Sequence, residues 1–190
     1  MNSTPPTRFT LITGNRHKLR EARQILGPGV EGLAIELDEI QGLDEDRIAE
    51  HKAKAAFDIV GKPVVIWDQS LYIRCLGGFP GPLIKWFWEQ VGAARICSIA
   101  CALGDQAIST RTTLTHYDGS SLRHCYGELE GTIPPEPRGS NGFAWDTIFI
   151  PEGHQRTFAE MTADEKNAIS MHRLALEQLR AFLSGPELRD

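Results

Sequence analysis

An α/β fold with a mixed sheet is what this chain predicts, on three observations. Short apolar runs rich in β-branched residues alternate with amphipathic helical segments over the first half. Two alternating segments flank Asp118-Gly119 in the middle and read as a hairpin. An amphipathic helix led by a capping box closes the chain. Helix and strand in turn, then a mostly antiparallel middle, mark a mixed sheet flanked by helices.

The elements follow in order. Arg8–Thr13 reads as a first strand, Gly14-Asn15 as a turn, and Lys18–Leu26 as a helix. Ile35–Leu37 suggests a short second strand. Asp46–Ile59 has helical spacing, with Ile48, Ala55, Ala56 and Ile59 on its apolar side. Pro63–Trp67 is a buried central strand. Gly77–Pro82 is a loop leading into a helix over Leu83–Val91, and Ala93–Leu103 fits either another helix or the approach to a strand. The hairpin pairs Ala107–His116 with Ser121–Leu129. A Pro/Gly loop, Ile133–Ser140, precedes a strand at Thr147–Ile150. Thr162 caps the last helix, with Glu165 at the capping-box position, and that helix runs from Ala163 to Leu183. The whole chain, 1–190, reads as one domain with two lobes, loose at 1–7 and 185–190.

Bulk properties exclude several classes of function. At 190 residues, 41% hydrophobic and 24% charged, the chain is long enough to bury a core as a soluble domain. A net charge of −5 argues against a surface made for nucleic acid or an anionic membrane, though a few local lysines can still hold a small anion. No apolar run reaches membrane length, and the start lacks a signal-like apolar region. Cys75, Cys97, Cys101 and Cys125 form no CxxC pair and no zinc spacing, so a reducing cytoplasm is the expected location.

Four constellations could carry chemistry. Gly142-Phe143-Ala144-Trp145-Asp146 sets two aromatics and a carboxylate after a glycine turn, and Lys166 follows on a helix. Aromatic faces stack on a flat ring while an acid and an ammonium read its polar edge; the plainer alternative is an aromatic core strand after a turn. Thr13-Gly14-Asn15-Arg16-His17-Lys18 lies at a strand-to-helix junction, where free N–H groups and a lysine one turn in favour an anion. It lacks the Walker A spacing, and a simply capped turn would look similar. Glu39 follows the second strand and Asp68 ends the central one, at the strand ends where open α/β sheets bind ligands. Two such carboxylates suit Mg²⁺, which keeps waters and takes phosphate oxygens as its other ligands. Lys52 and Lys85 are further cations; a solvated helix face is the default for Lys52, whereas Lys85 sits less ordinarily between a proline loop and Trp86.

Taken together, these segments resemble the Ham1/inosine triphosphatase family of nucleoside-triphosphate pyrophosphatases. The likeness runs from Thr13 to about Leu176 through TGNxxKLxEA, xExQG, GGxPGPxIKWF, GFxWDxIFxPxG and TFAEMxxxEKNxIS. The GPLIKWF segment looks more like the eukaryotic and archaeal branch than the bacterial one. The resemblance implies an elongated two-lobed fold on a long central mixed sheet, with the active-site cleft between the lobes. It also implies a homodimer and a Mg²⁺-dependent hydrolysis of ITP, XTP and their deoxy forms to monophosphate and pyrophosphate. By position, Thr13, Gly14, Asn15, Lys18, Lys52 and Lys85 would hold the triphosphate. Glu39 and Asp68 would hold Mg²⁺, with Asp68 also orienting or deprotonating the attacking water; Lys18 and Lys52 join Asp68 as candidate catalytic residues. Phe143 would stack on the base, Ala144, Trp145 and Asp146 would complete that wall, and Lys166 would donate to the base carbonyl.

Two departures from the family pattern fall on these positions. The family reads Glu-Asp-Thr or Asp-Asp-Ser at the end of the central strand, where this chain has Trp67-Asp68-Gln69. An acid beside Asp68 is thus an indole, and Gln69 stands for a hydroxyl that would lie near phosphate. The family also reads Ser-His-Arg after EKNxI, where this chain has Ser170-Met171-His172-Arg173. Aligned without an insertion, Met171 takes the histidine position and His172 the arginine position. An insertion would rotate a continuous helix by about 100° per residue, which favours the ungapped alignment. A neutral histidine in place of a charged fork would cost roughly 1.5–3 kcal/mol of base recognition. Altered base selectivity, weakened catalysis, or both are therefore expected. A catalytically silent nucleotide binder, or an enzyme for a modified nucleotide in one pathway, are the competing readings.

Overall fold

The computed structural model describes residues 9–185. Apart from Gly185, the segments expected to be loose at the two ends lie outside the described residues, as does Arg8. A seven-stranded mixed sheet has the order β2-β1-β3-β5-β6-β7, with β4 also paired to β3. Its strands are β1 (Thr10–Ile12), β2 (Glu31–Leu33), β3 (Val64–Ile73), β4 (Pro80–Gly81), β5 (Ala107–Tyr117), β6 (Leu122–Thr132) and β7 (Ile150–Pro151). Six helices accompany them: α1 (Arg16–Leu26), α2 (Glu45–Val60), α3 (Ile84–Val91), α4 (Ala93–Ala102), α5 (Ala163–Ile169) and α6 (Met171–Leu183). The chain divides into two compact units.

The first unit holds residues up to 68, 112–127 and those from 172 onward. β1 pairs in parallel with β2 (Thr10 opposite Glu31) and with β3 (Thr10 opposite Val64). Parallel neighbours require helical crossovers, and α1 and α2 supply them. Asn15 starts α1 by accepting the His17 and Lys18 N–H groups at 2.8 and 3.3 Å. Asp44 starts α2 through the Arg47 N–H at 3.1 Å, and Gly61 stops it in the left-handed region. Side chains along β3 alternate between two layers. Val65 and Trp67 join Phe9, Leu11, Leu114, Ala175, Leu176 and Leu179, beneath α1 and α6. Val64 and Ile66 join Ala53 and Ala56 of α2.

The second unit holds 69–111 and 128–171. Its core gathers Leu71, Ile73, Ile84, Ile96, Cys97, Ile108, Ile133, Phe149, Phe158 and Met161. The capping box expected at Thr162 and Glu165 is present: the Thr162 hydroxyl accepts the Glu165 N–H at 3.2 Å, and the Glu165 carboxylate accepts the Thr162 N–H at 2.8 Å. Ala93–Ala102 is a helix, which resolves the open choice there.

Four expectations need correction. The central strand does not stop at Trp67 but runs to Ile73, so Asp68 lies within β3 and not at its end. The second strand is Glu31–Leu33, not Ile35–Leu37. Ile35 and Leu37 instead pack, partly buried, against the core layer under α2, so their apolar character serves packing and not pairing. In place of a strand at Thr147–Ile150, a 3-10 turn covers Ala144–Ile148 and only Ile150–Pro151 pairs, with β6. The Asp146 carboxylate accepts the Phe143 N–H at 2.8 Å and tightens that turn. The final helix is two helices. Ser170 is extended (φ −71°, ψ 151°), so α5 ends at Ile169 and α6 begins at Met171.

Candidate functional site

Each unit presents one polar set. In the first, the strand-to-helix turn is tied internally: the Asn15 N–H donates to the Thr13 hydroxyl at 3.0 Å while the Asn15 side chain caps α1. Gly14 is exposed between them. α1 has no acid in its first turn, so no negative side-chain charge there offsets the positive end of its dipole. Lys18, one turn in, donates to the Trp67 carbonyl at 2.9 Å and lies 5.5 Å from the Trp67 ring centroid. Burial pushes the Lys18 ammonium down to about 8, against the opposing pull of Asp68.

Lys52 on α2 joins two acids that the sequence separates. Its ammonium lies 2.5 Å from Asp68 Oδ1 and 3.0 Å from Glu39 Oε1, with only 12% of its side chain exposed. Burial lowers the Lys52 pKa, but Asp68 and Glu39 outweigh it and hold the ammonium above its ordinary range. Asp68 Oδ2 is buried and accepts no hydrogen bond. A desolvated, unpartnered carboxylate oxygen is costly, and a hard cation would relieve that cost. Among the described residues no three His, Cys, Asp or Glu side chains gather to hold a metal. The donor set is therefore two carboxylates, which fits an ion that keeps most of its waters, as Mg²⁺ does, and not a structural zinc.

The second unit carries the aromatic set. Lys166 and Asp146 form a buried ion pair of 2.6 Å, with side chains 8% and 4% exposed. The Lys166 ammonium also lies 4.7 Å from the Phe143 ring centroid and 5.3 Å from that of Phe158. Asp146 accepts from Lys166 and from the Phe143 backbone with the same oxygen, so one carboxylate fixes both. Gly142 (φ +75°) leaves room for it, since a Cβ there would collide with that oxygen. Phe143 and Ala144 are half-buried, and Ala144 takes an uncommon positive φ of 49°. Trp145 is a core residue rather than an open wall.

Four further candidates are placed as follows. Lys85 is exposed on α3 in the second unit, 4.9 Å over the Trp86 ring. Gln69, half-buried, is the first residue of the second unit on β3. Met171 is buried in the second unit's core. His172, 1% exposed, belongs to the first unit, where its Nδ1 lies 2.8 Å from Glu21 Oε2 and its ring meets Trp67 edge-on. The break at Ser170 also removes the rotation argument for an ungapped alignment, because an extended residue absorbs an insertion that a continuous helix would not. Two participants escaped sequence reasoning. Phe158 was visible only as part of TFAEM, and Glu21 only as the acid of TGNxxKLxEA, three positions after Lys18.

The mixed α/β fold that carries these two sets is one that known proteins share. The profile of the Ham1 family matches residues 9–182, and the chain belongs to that family. It is 40% identical over 178 residues to an inosine triphosphate pyrophosphatase of Schizosaccharomyces pombe, covering 92% of this chain and 94% of that one. It is 36% identical over 179 residues to a dITP/XTP pyrophosphatase of Thermococcus kodakarensis, covering 93% and 97%. A HAM1 protein structure from Coxiella burnetii superposes with a TM-score of 0.79 at 30% identity, covering 93% of this chain and 98% of that one.

Two predictions arise from the buried charges. Lys166→Met leaves the Asp146 carboxylate buried and uncompensated, so urea unfolding should show a loss of about 3–5 kcal/mol; pairing it with Asp146→Asn should restore part of that loss. Lys18 binds fewer protons folded than unfolded between about 8 and its ordinary 10.5. Its contribution to stability therefore rises with pH across that window, and the cost of burying its charge is fully present below it. The stability difference between wild type and Lys18→Met, followed from pH 7 to 10.5, should shift toward wild type as pH rises.

Proposed function

We propose that this chain is a nucleoside-triphosphate pyrophosphatase that hydrolyses deaminated purine nucleotides of the ITP, dITP and XTP kind. The products are the nucleoside monophosphate and pyrophosphate. One observation carries the proposal: Asp68 gives one oxygen to Lys52 and keeps the other buried and unpartnered, while Glu39 shares the same ammonium. The names of the family relatives support the substrate class.

The chain's own residues divide the work. Lys18 and Lys52 are the cations for the triphosphate, and the start of α1 adds a favourable dipole. Asp68 orients and deprotonates the water that attacks phosphorus, and the P–O bond to the departing pyrophosphate breaks. Asp68 and Glu39 would hold Mg²⁺, which would neutralise phosphate charge and lower the pKa of coordinated water. Phe143 offers a face to the base, and Lys166 donates to its 6-carbonyl oxygen. Adenine has an amino group there and offers no acceptor, so a fixed ammonium disfavours it. Asp146 fixes that ammonium before the base arrives.

A homodimer and a cytoplasmic location belong to the same proposal. The resemblance supports the first, and four free cysteines are in keeping with the second. Among the described residues no helix is long and apolar enough to cross a membrane, and the net charge of −5 disfavours a nucleic-acid partner.

Pyrophosphate release from ITP, XTP, dITP, GTP and ATP with Mg²⁺ tests the reading. Turnover should be highest for the deaminated bases, and Asp68→Asn should lower kcat by about 100-fold or more. Binding without release from any member of the panel would instead support a silent nucleotide binder.

A further inference from the structure

Trp67, where the family pattern has an acid, and His172, which the ungapped alignment sets at the arginine position, touch each other. Their rings meet edge to face, with centroids 5.2 Å apart at 81°. Trp67 is 4% exposed and His172 1% exposed, and the contact lies inside the first unit. The other side of each residue is also committed. His172 Nδ1 lies 2.8 Å from Glu21 Oε2 on α1; a carboxylate accepts, so Nδ1 carries the proton. The Trp67 carbonyl accepts from the Lys18 ammonium at 2.9 Å, and the Trp67 ring lies under that ammonium at 5.5 Å. Glu21 and Lys18 are three residues apart on α1 and so share a face. Three elements close a loop: α1 to α6 through Glu21 and His172, α6 to β3 through His172 and Trp67, and β3 to α1 through Trp67 and Lys18.

From this loop we infer that His172 does not read the base. It is a positioning residue for Lys18, acting through Trp67 and Glu21, and Trp67 is its matched partner. A buried imidazole with Nδ1 on a carboxylate and its ring against an indole is held by the protein interior. What it controls is where the indole and α1 sit, and through them where the Lys18 ammonium points. The paired changes therefore leave base selectivity to the second unit and tune the hold on phosphate. This rests on the proposed triphosphate substrate.

The test compares His172→Gln, Glu21→Gln and Trp67→Phe with wild type, each first shown to be folded by near-ultraviolet circular dichroism. Glu21→Gln leaves both rings in place, and Trp67→Phe keeps an aromatic ring for His172 to meet. Two readouts are taken: kcat and KM for ITP, XTP, GTP and ATP, and the Kd for inorganic tripolyphosphate, which has no base. His172→Gln and Glu21→Gln should raise KM for every nucleotide by one common factor, about threefold to tenfold. They should weaken tripolyphosphate by the same factor and leave the ranking of bases unchanged, and Trp67→Phe, which shrinks the ring between His172 and Lys18, should move both readouts in the same direction. A His172→Gln ranking shifted tenfold between bases, with tripolyphosphate binding unchanged, would overturn the inference and make His172 a base reader. Absence of turnover by the wild type itself would count against the substrate reading, and tripolyphosphate binding would then decide the positioning role alone.

Discussion

One step of the pleat in β3 governs the first unit. Trp67 and Asp68 are neighbours in sequence, and a strand sends neighbours to opposite layers. Trp67 joins the layer beneath α1 and α6, where it meets Lys18 and His172. Asp68 meets Lys52 of α2, whose Ala53 and Ala56 pack on Val64 and Ile66. A single dipeptide thus serves two lysines on two helices. A register slip of one residue would exchange indole and carboxylate and dismantle both contacts. The parallel register of β1 against β3, with Thr10 opposite Val64 and Ile12 opposite Ile66, fixes that step relative to the turn that starts α1.

Three lysines removed from bulk water follow one logic. An ammonium stays charged away from water only when oxygen atoms or aromatic faces replace its hydration. Lys52 has Asp68 and Glu39, and its charge is strengthened. Lys166 has Asp146 with two aromatic rings nearby. Lys18 has a carbonyl and an indole, which offset burial less than a carboxylate would, and its charge is weakened. An arriving phosphate would therefore benefit Lys18 most. Groups oriented before the substrate arrives need little reorganisation during reaction, which makes such fixed charges effective in catalysis.

Local chemistry was legible in the sequence wherever it was settled by neighbours in the chain. Asn15, Thr162 and Glu165 cap helices as their positions predict, because a cap is satisfied within three residues. Asp68 stood out because an acid ending an apolar run has few structural excuses. What stayed hidden was set by distant partners. Nothing local shows that Lys52 would lie between Glu39 and Asp68, or that His172 would meet Glu21, 151 residues away. Ile35 and Leu37 looked like a strand because apolar residues near a sheet can serve either pairing or packing. The helical periodicity through Ser170 concealed a break, after which Met171 packs in the second unit's core and His172 belongs to the first unit.

The central claim is that Asp68 directs water onto the phosphorus nearest the sugar. Hydrolysis of ITP in ¹⁸O-labelled water, with both products analysed by mass spectrometry, tests it most directly. One ¹⁸O atom in the monophosphate and none in pyrophosphate is the predicted result. Label in pyrophosphate, or orthophosphate as the labelled product, would contradict it.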